Sequence, residues 1–211
     1  EIEAGIYGTN YTIVNETKRK TKVAEIGVDE GFEKGYINYC RVYEKTLAMP
    51  LWTGAVCMPR WAFDEMGGFP KGIKLGEDFL LWIRVALKYK VAFLNKPLSN
   101  YNQDVEAFNR GVGRLQRPEE HMLWNVDFLS QEEKSNPDYK QLIDNLRVYG
   151  LFPYYLSKEY HEAASQELAK VDWEKQPIKA KRLFSFPLCY LRQRQRLLGF
   201  ASRIKVFLMK V

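Results

Sequence analysis

Two adjacent carboxylates, Glu77 and Asp78, stand directly after Gly76 and directly before the apolar run Phe79-Leu80-Leu81-Trp82-Ile83, which Arg84 interrupts and Val85-Ala86-Leu87 continues. A stretch with almost no polar face reads as a buried helix over residues 77–88. Its first turn then holds both acids. Backbone N–H groups are free there and the helix dipole is positive, which favours ionised carboxylates. One of two such groups at the edge of a cleft can stay ionised and take a proton from a hydroxyl. The same residues also allow a plainer role, since an acid at a helix start caps it. Other reactive side chains are few. His121 and His161 lie among charges in stretches of helical pattern and are expected on helix surfaces. Cys40, Cys57 and Cys189 are odd in number and lack Cys-x-x-Cys spacing, which argues against a zinc site or disulfide framework and for a reducing compartment. The triplets Asn10-Tyr-Thr12 and Asn15-Glu-Thr17 are read as chance matches to the glycosylation pattern.

The elements that must position the acid pair follow from periodicity. Tyr, Thr and Ile alternate from Ile6 to Val14, a polar turn follows at Asn15-Glu-Thr-Lys-Arg-Lys, and Thr21–Ile26 resumes the pattern, so residues 5–28 read as a hairpin. Residues 29–50 read as a loop with one short helix. Trp52–Met58 is a short apolar β run. Pro59 suits the first turn of a helix that Gly67-Gly68 stops. Residues 70–76 form a Gly- and Lys-rich loop. Val91–Leu94 reads as a strand that Pro97 ends, and the polar stretch Asn100–Arg110 is expected to cover a cleft. Beyond residue 113 strand signals give way to helical patterns near 117–131, 137–148, 150–157 and 158–170. The chain is therefore expected to be α/β over residues 1–112 and all-helical over 113–211.

Length and charge narrow the function classes. A chain of 211 residues, 46% apolar and 27% charged, can bury a core without disulfide or metal staples. It has no apolar run of the length a spanning helix needs. It starts at Glu1 with no charged-then-apolar leader, so the natural N-terminus is expected to lie upstream and the location is expected to be cytoplasmic. The net charge is +6, yet residues 176–211 hold nine of the 32 Lys and Arg and none of the 26 acids. The remainder is slightly acidic, which is not the footprint of a nucleic-acid-binding domain. Within the tail, Arg192, Arg194, Arg196, Arg203 and Lys205 interleave with Leu197, Leu198, Phe200, Ile204 and Phe207. Basic and apolar residues at helical spacing fit a helix docked on its own domain with a solvated basic face, or a helix lying on an anionic membrane surface at its inner side.

Five short strings occur in order between residues 53 and 101: Thr53-Gly54-Ala55-Val56, Gly67-Gly68-Phe69, Gly76-Glu77-Asp78, Leu81-Trp82-Ile83-Arg84 and Pro97-Leu98-Ser99-Asn100-Tyr101. Together they resemble the second half of the catalytic domain of family 2 glycosyltransferases, inverting enzymes with a GT-A fold. The resemblance is strong over residues 50–102, fair over 1–49 and weak beyond 113. It implies that Asp78 is the general base that deprotonates an acceptor hydroxyl, which then attacks the anomeric carbon of a nucleotide-sugar. It implies that Glu77 orients that base or touches the acceptor, that Trp82 and Arg84 fix the helix, and that Arg84 pairs with a carboxylate. Thr53 and Gly54 are implied as the floor of the acceptor site, and Trp52 or Trp61 as a surface on which a sugar could stack. Tyr101 is read as packing. Some relatives place a metal- or phosphate-contacting His near position 104; Asp104 is not given that role.

The family's nucleotide-binding half ends in an Asp-x-Asp motif that holds Mg or Mn, and no Asp-x-Asp occurs in this sequence. Residues 1–112 therefore resemble the acceptor-side half alone, and 113–211 a helical extension. The expectation is a segment of a hexosyltransferase of bacterial surface polysaccharide synthesis that binds no divalent cation and transfers no sugar by itself. Its partners in the full enzyme would be a nucleotide-sugar and a carbohydrate or lipid-linked acceptor. Strands near 5–14 and 52–58 are expected to have open edges, covered by a second copy in a homodimer or by the chain's own helices. The alternatives are a non-catalytic binding module and a peripheral membrane adaptor.

Overall fold

A computed structural model describes residues 4–104 and 115–197. Arg203 and Lys205, the outermost of the tail cations, lie outside the described residues, as does the part of the polar stretch beyond residue 104. The chain forms two compact units that divide between Leu146 and Arg147. The division falls later than the change of sequence character near residue 113. Backbone hydrogen bonds explain why residues 115–146 belong with the sheet: the amides of Lys74 and Leu75 both donate to Glu120 O, and that of Met122 donates to Leu75 O.

The first unit is built on a mixed five-stranded sheet. β1 (Ala4–Asn15) and β2 (Lys20–Val23) form the expected antiparallel hairpin. β5 (Lys90–Asn102) runs parallel to β1 on its other side, and β3 (Lys34–Ile37) pairs antiparallel with β5. The two-residue β4 (Val56–Cys57) pairs with β1 at Tyr7 and Gly8. The order is β2-β1-β5-β3, with β4 beside β1. The strand near 5–14 is thus interior, not an open edge. Most of the apolar run from Trp52 is not a strand but a 3-10 turn, Thr53–Ala55.

Pro97 does not end its strand. The register slips there, from Thr9 opposite Leu94 to Asn10 opposite Pro97. A bulge absorbs a residue that has no N–H to give to the ladder. Asn95 secures the irregularity. Its amide donates to Phe32 O, and its Oδ1 accepts from the Asn10 side chain. Asn10, which also donates to Ala24 O, is buried. Its sequon is therefore closed to modification in the folded chain.

α3 (Glu77–Lys88) is the buried helix that its composition implies. Phe79, Leu80, Leu81, Trp82, Ile83 and Val85 are all buried. Their transfer from water is worth on the order of 10 kcal/mol. α1 (Tyr39–Thr46) is the short helix of the 29–50 region; Asn38 caps it by accepting from Arg41 N. α2 (Arg60–Glu65) starts after Pro59 as expected. The expected helix over 117–131 is instead three 3-10 turns, Pro118–Glu120, Met122–Trp124 and Asp127–Leu129, followed by α4 (Ser130–Ser135). His121 sits between the first two turns. Its ring accepts from Leu123 N, which starts a new turn rather than continuing the previous one. α5 (Pro137–Gly150) follows.

The second unit contains α6 (Phe152–Leu156), α7 (His161–Leu168), α8 (Ile178–Ser185) and helical residues 188–197. Arg147 and Glu167, both buried, pair at 3.3 Å. Phe184 meets Phe152, Tyr155 and Trp173 at ring separations of 5.1–5.5 Å. Among the described residues, none of the strands lies beyond Asn102, and no helix is long and apolar enough to cross a membrane.

Candidate functional site

Gly76 sets the position of the acid pair. It is the N-cap of α3 at φ 83°, a left-handed conformation that glycine adopts without strain, and it supplies no capping side chain. A Cβ on Gly76 would fall 2.2 Å from Met122 Sδ. The turn Met122–Trp124 thus closes directly over the start of α3, and only a glycine fits beneath it. Asp78 is left half-buried in the first turn.

Its two carboxylate oxygens have different tasks. Oδ1 accepts from Phe79 N at 2.7 Å, which satisfies one free amide of the turn. Oδ2 accepts from Thr53 Oγ1 at 2.8 Å. No cation pairs with Asp78 among the described residues, and each oxygen keeps a lone pair. Glu77 is also half-buried and makes no hydrogen bond or ion pair with the described residues. The phenols of Tyr39 and Tyr43 lie within the electrostatic reach of Asp78. Burial raises both far above the ordinary phenol value, and the Asp78 charge adds to this. The carboxylate therefore has neutral rings on its inner side and the exposed Thr53 and Gly54 on its outer side.

Trp52 stands beside this pair. Its ring lies 5.2 Å from those of both Tyr11 and Tyr101, and Tyr11 donates to Met49 O. A Cβ on Gly54 would come within 2.5–2.8 Å of three atoms of the Trp52 six-membered ring. The space left by the missing Gly54 side chain is thus taken by the indole. The missing side chain lets Trp52 pack against the turn that presents Thr53, and Gly54 itself stays exposed. Trp61 is elsewhere. Its ring packs edge-on at 5.0 Å against Tyr89, which caps the far end of α3. Eleven residue steps at about 1.5 Å rise put some 16 Å between Tyr89 and Asp78 along α3.

Arg84 does not pair with a carboxylate. Its Nε donates to Leu80 O at 2.9 Å, one terminal nitrogen to Met66 O at 2.7 Å and the other to Gly68 O at 2.8 Å. Burial lowers its pKa from the ordinary value. The carbonyls at the end of α2 are thereby pinned to α3. Phe69 follows them and stacks edge-on against Trp82 at 5.7 Å. The Gly-Gly-Phe turn is thus part of the support of α3 rather than of the site.

Sequence reasoning missed the brace around the loop before α3. Glu120 accepts from Lys74 Nζ and from an Arg117 terminal nitrogen, each at 2.7 Å. The hydrogen bond from Arg117, then that from Lys74, holds its carboxyl down at about 2. His121 is 3% exposed rather than a surface residue, and burial lowers its pKa to about 4. The neutral ring is what folds, so its contribution is complete above about pH 6.5 and is lost as the pH falls toward 4. The loss is about 3 kcal/mol by linkage. We expect chemical denaturation to show this decline between pH 7 and 4. His121→Asn, which keeps an acceptor for Leu123 N, should flatten it; an unchanged decline in the variant would assign it to other groups. His161 is half-buried at the start of α7, with Nδ1 2.6 Å from Tyr155 O. Asp104 accepts from the amides of Glu16 and Thr17 and so ties down the β1–β2 turn.

No group of three or more His, Cys, Asp or Glu among the described residues is placed to hold a metal ion. Glu77 and Asp78, as neighbours on a helix, diverge by about 100°. Among the described residues these two carboxylates therefore do not converge on one point as a chelating pair would. Comparisons with protein-family models, curated proteins and solved structures return no match.

Proposed function

We propose that this chain forms the acceptor side of an inverting glycosyltransferase with a GT-A-like catalytic domain, and that Asp78 is its general base. One observation supports the reading: a half-buried carboxylate in the first turn of α3, with no counter-cation among the described residues, already accepts a hydrogen bond from an alcohol, the exposed Thr53 Oγ1, at 2.8 Å. An acceptor hydroxyl on the outer side of Asp78 would make the same bond. Its proton would pass to the carboxylate as its oxygen attacks the anomeric carbon and the nucleoside diphosphate departs. Thr53 positions the base, Phe79 N holds its second oxygen, and Trp52 presents its ring next to them. Glu77, which has no hydrogen-bond or ion-pair partner among the described residues, is available to a second hydroxyl of the acceptor. The residues that would grip the donor and its Mg or Mn are supplied by another half of the enzyme. The setting we assign is polysaccharide assembly on the cytoplasmic side.

The competing reading, a binding module in which Asp78 only caps α3, has its own observation in the Phe79 N–Oδ1 bond. Donor binding tests the division of labour. Calorimetry of the 211-residue chain with UDP-, GDP- and dTDP-hexoses and Mn²⁺ should give no binding below millimolar concentration. Micromolar binding would show that the chain grips a donor by itself and would overturn the assignment.

A further inference from the structure

We infer that the second unit carries a docking surface for an anionic lipid bilayer, formed by α8 and residues 188–197. Ala180 and Leu191 are buried, and Arg192 donates to the carbonyls of Leu156 and Ser157 at 3.0 and 2.9 Å. These contacts fix one face of each helix on its own unit and remove Arg192 from the candidate cations. The opposite faces are open. At 100° per residue, Ile178, Arg182 and Ser185 lie opposite Ala180 on α8. Tyr190 and Leu197 fall within about 20° of each other on the outer face of the next helix. Ile178 is 66% exposed, Leu197 63%, and Phe186 and Tyr190 about half. Phe186 and Tyr190 pack on each other at 5.2 Å, which keeps two rings together at the surface.

The charge around these side chains selects the occupant. Lys179, Lys181, Arg182, Arg194 and Arg196 are exposed and form no ion pair with a described carboxylate, and residues 176–197 contain no Asp or Glu. A surface that met only water would gain from interspersed acids, and one that met nucleic acid would not intersperse its cations with exposed isoleucine, leucine and paired aromatic side chains. Cations interspersed with exposed apolar side chains match a bilayer, where phosphates meet the cations and the acyl boundary takes the apolar side chains. This surface is independent of the role given to Asp78.

Sedimentation of the full chain with vesicles tests it. Binding to vesicles of three parts phosphatidylcholine to one part phosphatidylglycerol should exceed binding to phosphatidylcholine alone at least tenfold and weaken with salt. Arg182→Glu with Arg194→Glu and Arg196→Glu should lower it at least tenfold. Ile178→Ser with Tyr190→Ser and Leu197→Ser should lower the part that survives high salt. All six positions are exposed, and unchanged circular dichroism would show that the variants fold. Absence of binding to the anionic vesicles, equal binding by the folded variants, or preference for a single-stranded oligonucleotide over the vesicles would each overturn the assignment.

Discussion

If Asp78 is the base proposed above, Asp78→Asn should lower sugar transfer by about 10²–10⁴-fold in an enzyme that joins this chain to a nucleotide-binding half, while the fold should keep its stability to within about 1 kcal/mol. The first magnitude is what a positioned base contributes. The second follows from the two bonds that Asp78 makes. An asparagine Oδ1 still accepts from Phe79 N, and its amide can donate to Thr53 Oγ1 with that hydroxyl turned around. Only the negative charge is lost, and at a helix start that is worth about 0.3–1 kcal/mol. A steady-state rate with a labelled nucleotide-sugar, set beside a urea melt, separates the two readings of Asp78. If it is merely a cap, turnover persists. If it is the base, turnover collapses in a protein that melts normally.

The second large effect is structural. Gly76→Ala should cost about 2–4 kcal/mol. A non-glycine residue at φ 83° pays roughly 1–2 kcal/mol for its left-handed backbone. The new Cβ would also lie 2.2–2.8 Å from Met122 Sδ, Cγ and Cβ, so that side chain must move as a whole. In a domain of this size the melting temperature should drop by about 5–15 °C. Met122→Ala in the same protein should return the steric part and leave the backbone part. If Gly76→Ala alone melts like the parent, α3 does not depend on this cap.

How far the site was legible in the sequence depended on how local each determinant is. α3 and its two acids could be read because an apolar run after a glycine is a one-dimensional signal. The β1–β2 hairpin was legible for the same reason. β3 was not: Lys34-Gly-Tyr-Ile is too short and polar to alternate, and its pairing with β5 supplies the strand from outside. Pro97 misled because the loss of one donor is tolerated where a bulge has already broken the ladder. His121 misled because charged neighbours suggest solvent; in fact Glu120 and Arg117 turn toward each other and leave the imidazole inside. Arg84 invited a carboxylate, but two carbonyls just after α2 and one within α3 take its donors, and no sequence pattern reports the direction of a carbonyl. The hydrogen bond of Thr53 to Asp78 across 25 residues was not legible at all: the resemblance places Thr53 only on the floor of the acceptor site, and spacing carries no information about a turn folded against a helix.

The central claim is that the Asp78 carboxylate takes the proton of the acceptor hydroxyl. Rescue of Asp78→Ala by formate tests it most directly, in the same donor-complete enzyme. Removing the carboxyl should abolish transfer, and added formate, a carboxylate small enough for the vacated space, should restore a measurable fraction of it in a saturable way. Transfer by Asp78→Ala at the parental rate, or a folded but inactive variant that formate leaves silent while it still binds donor and acceptor, would contradict the assignment.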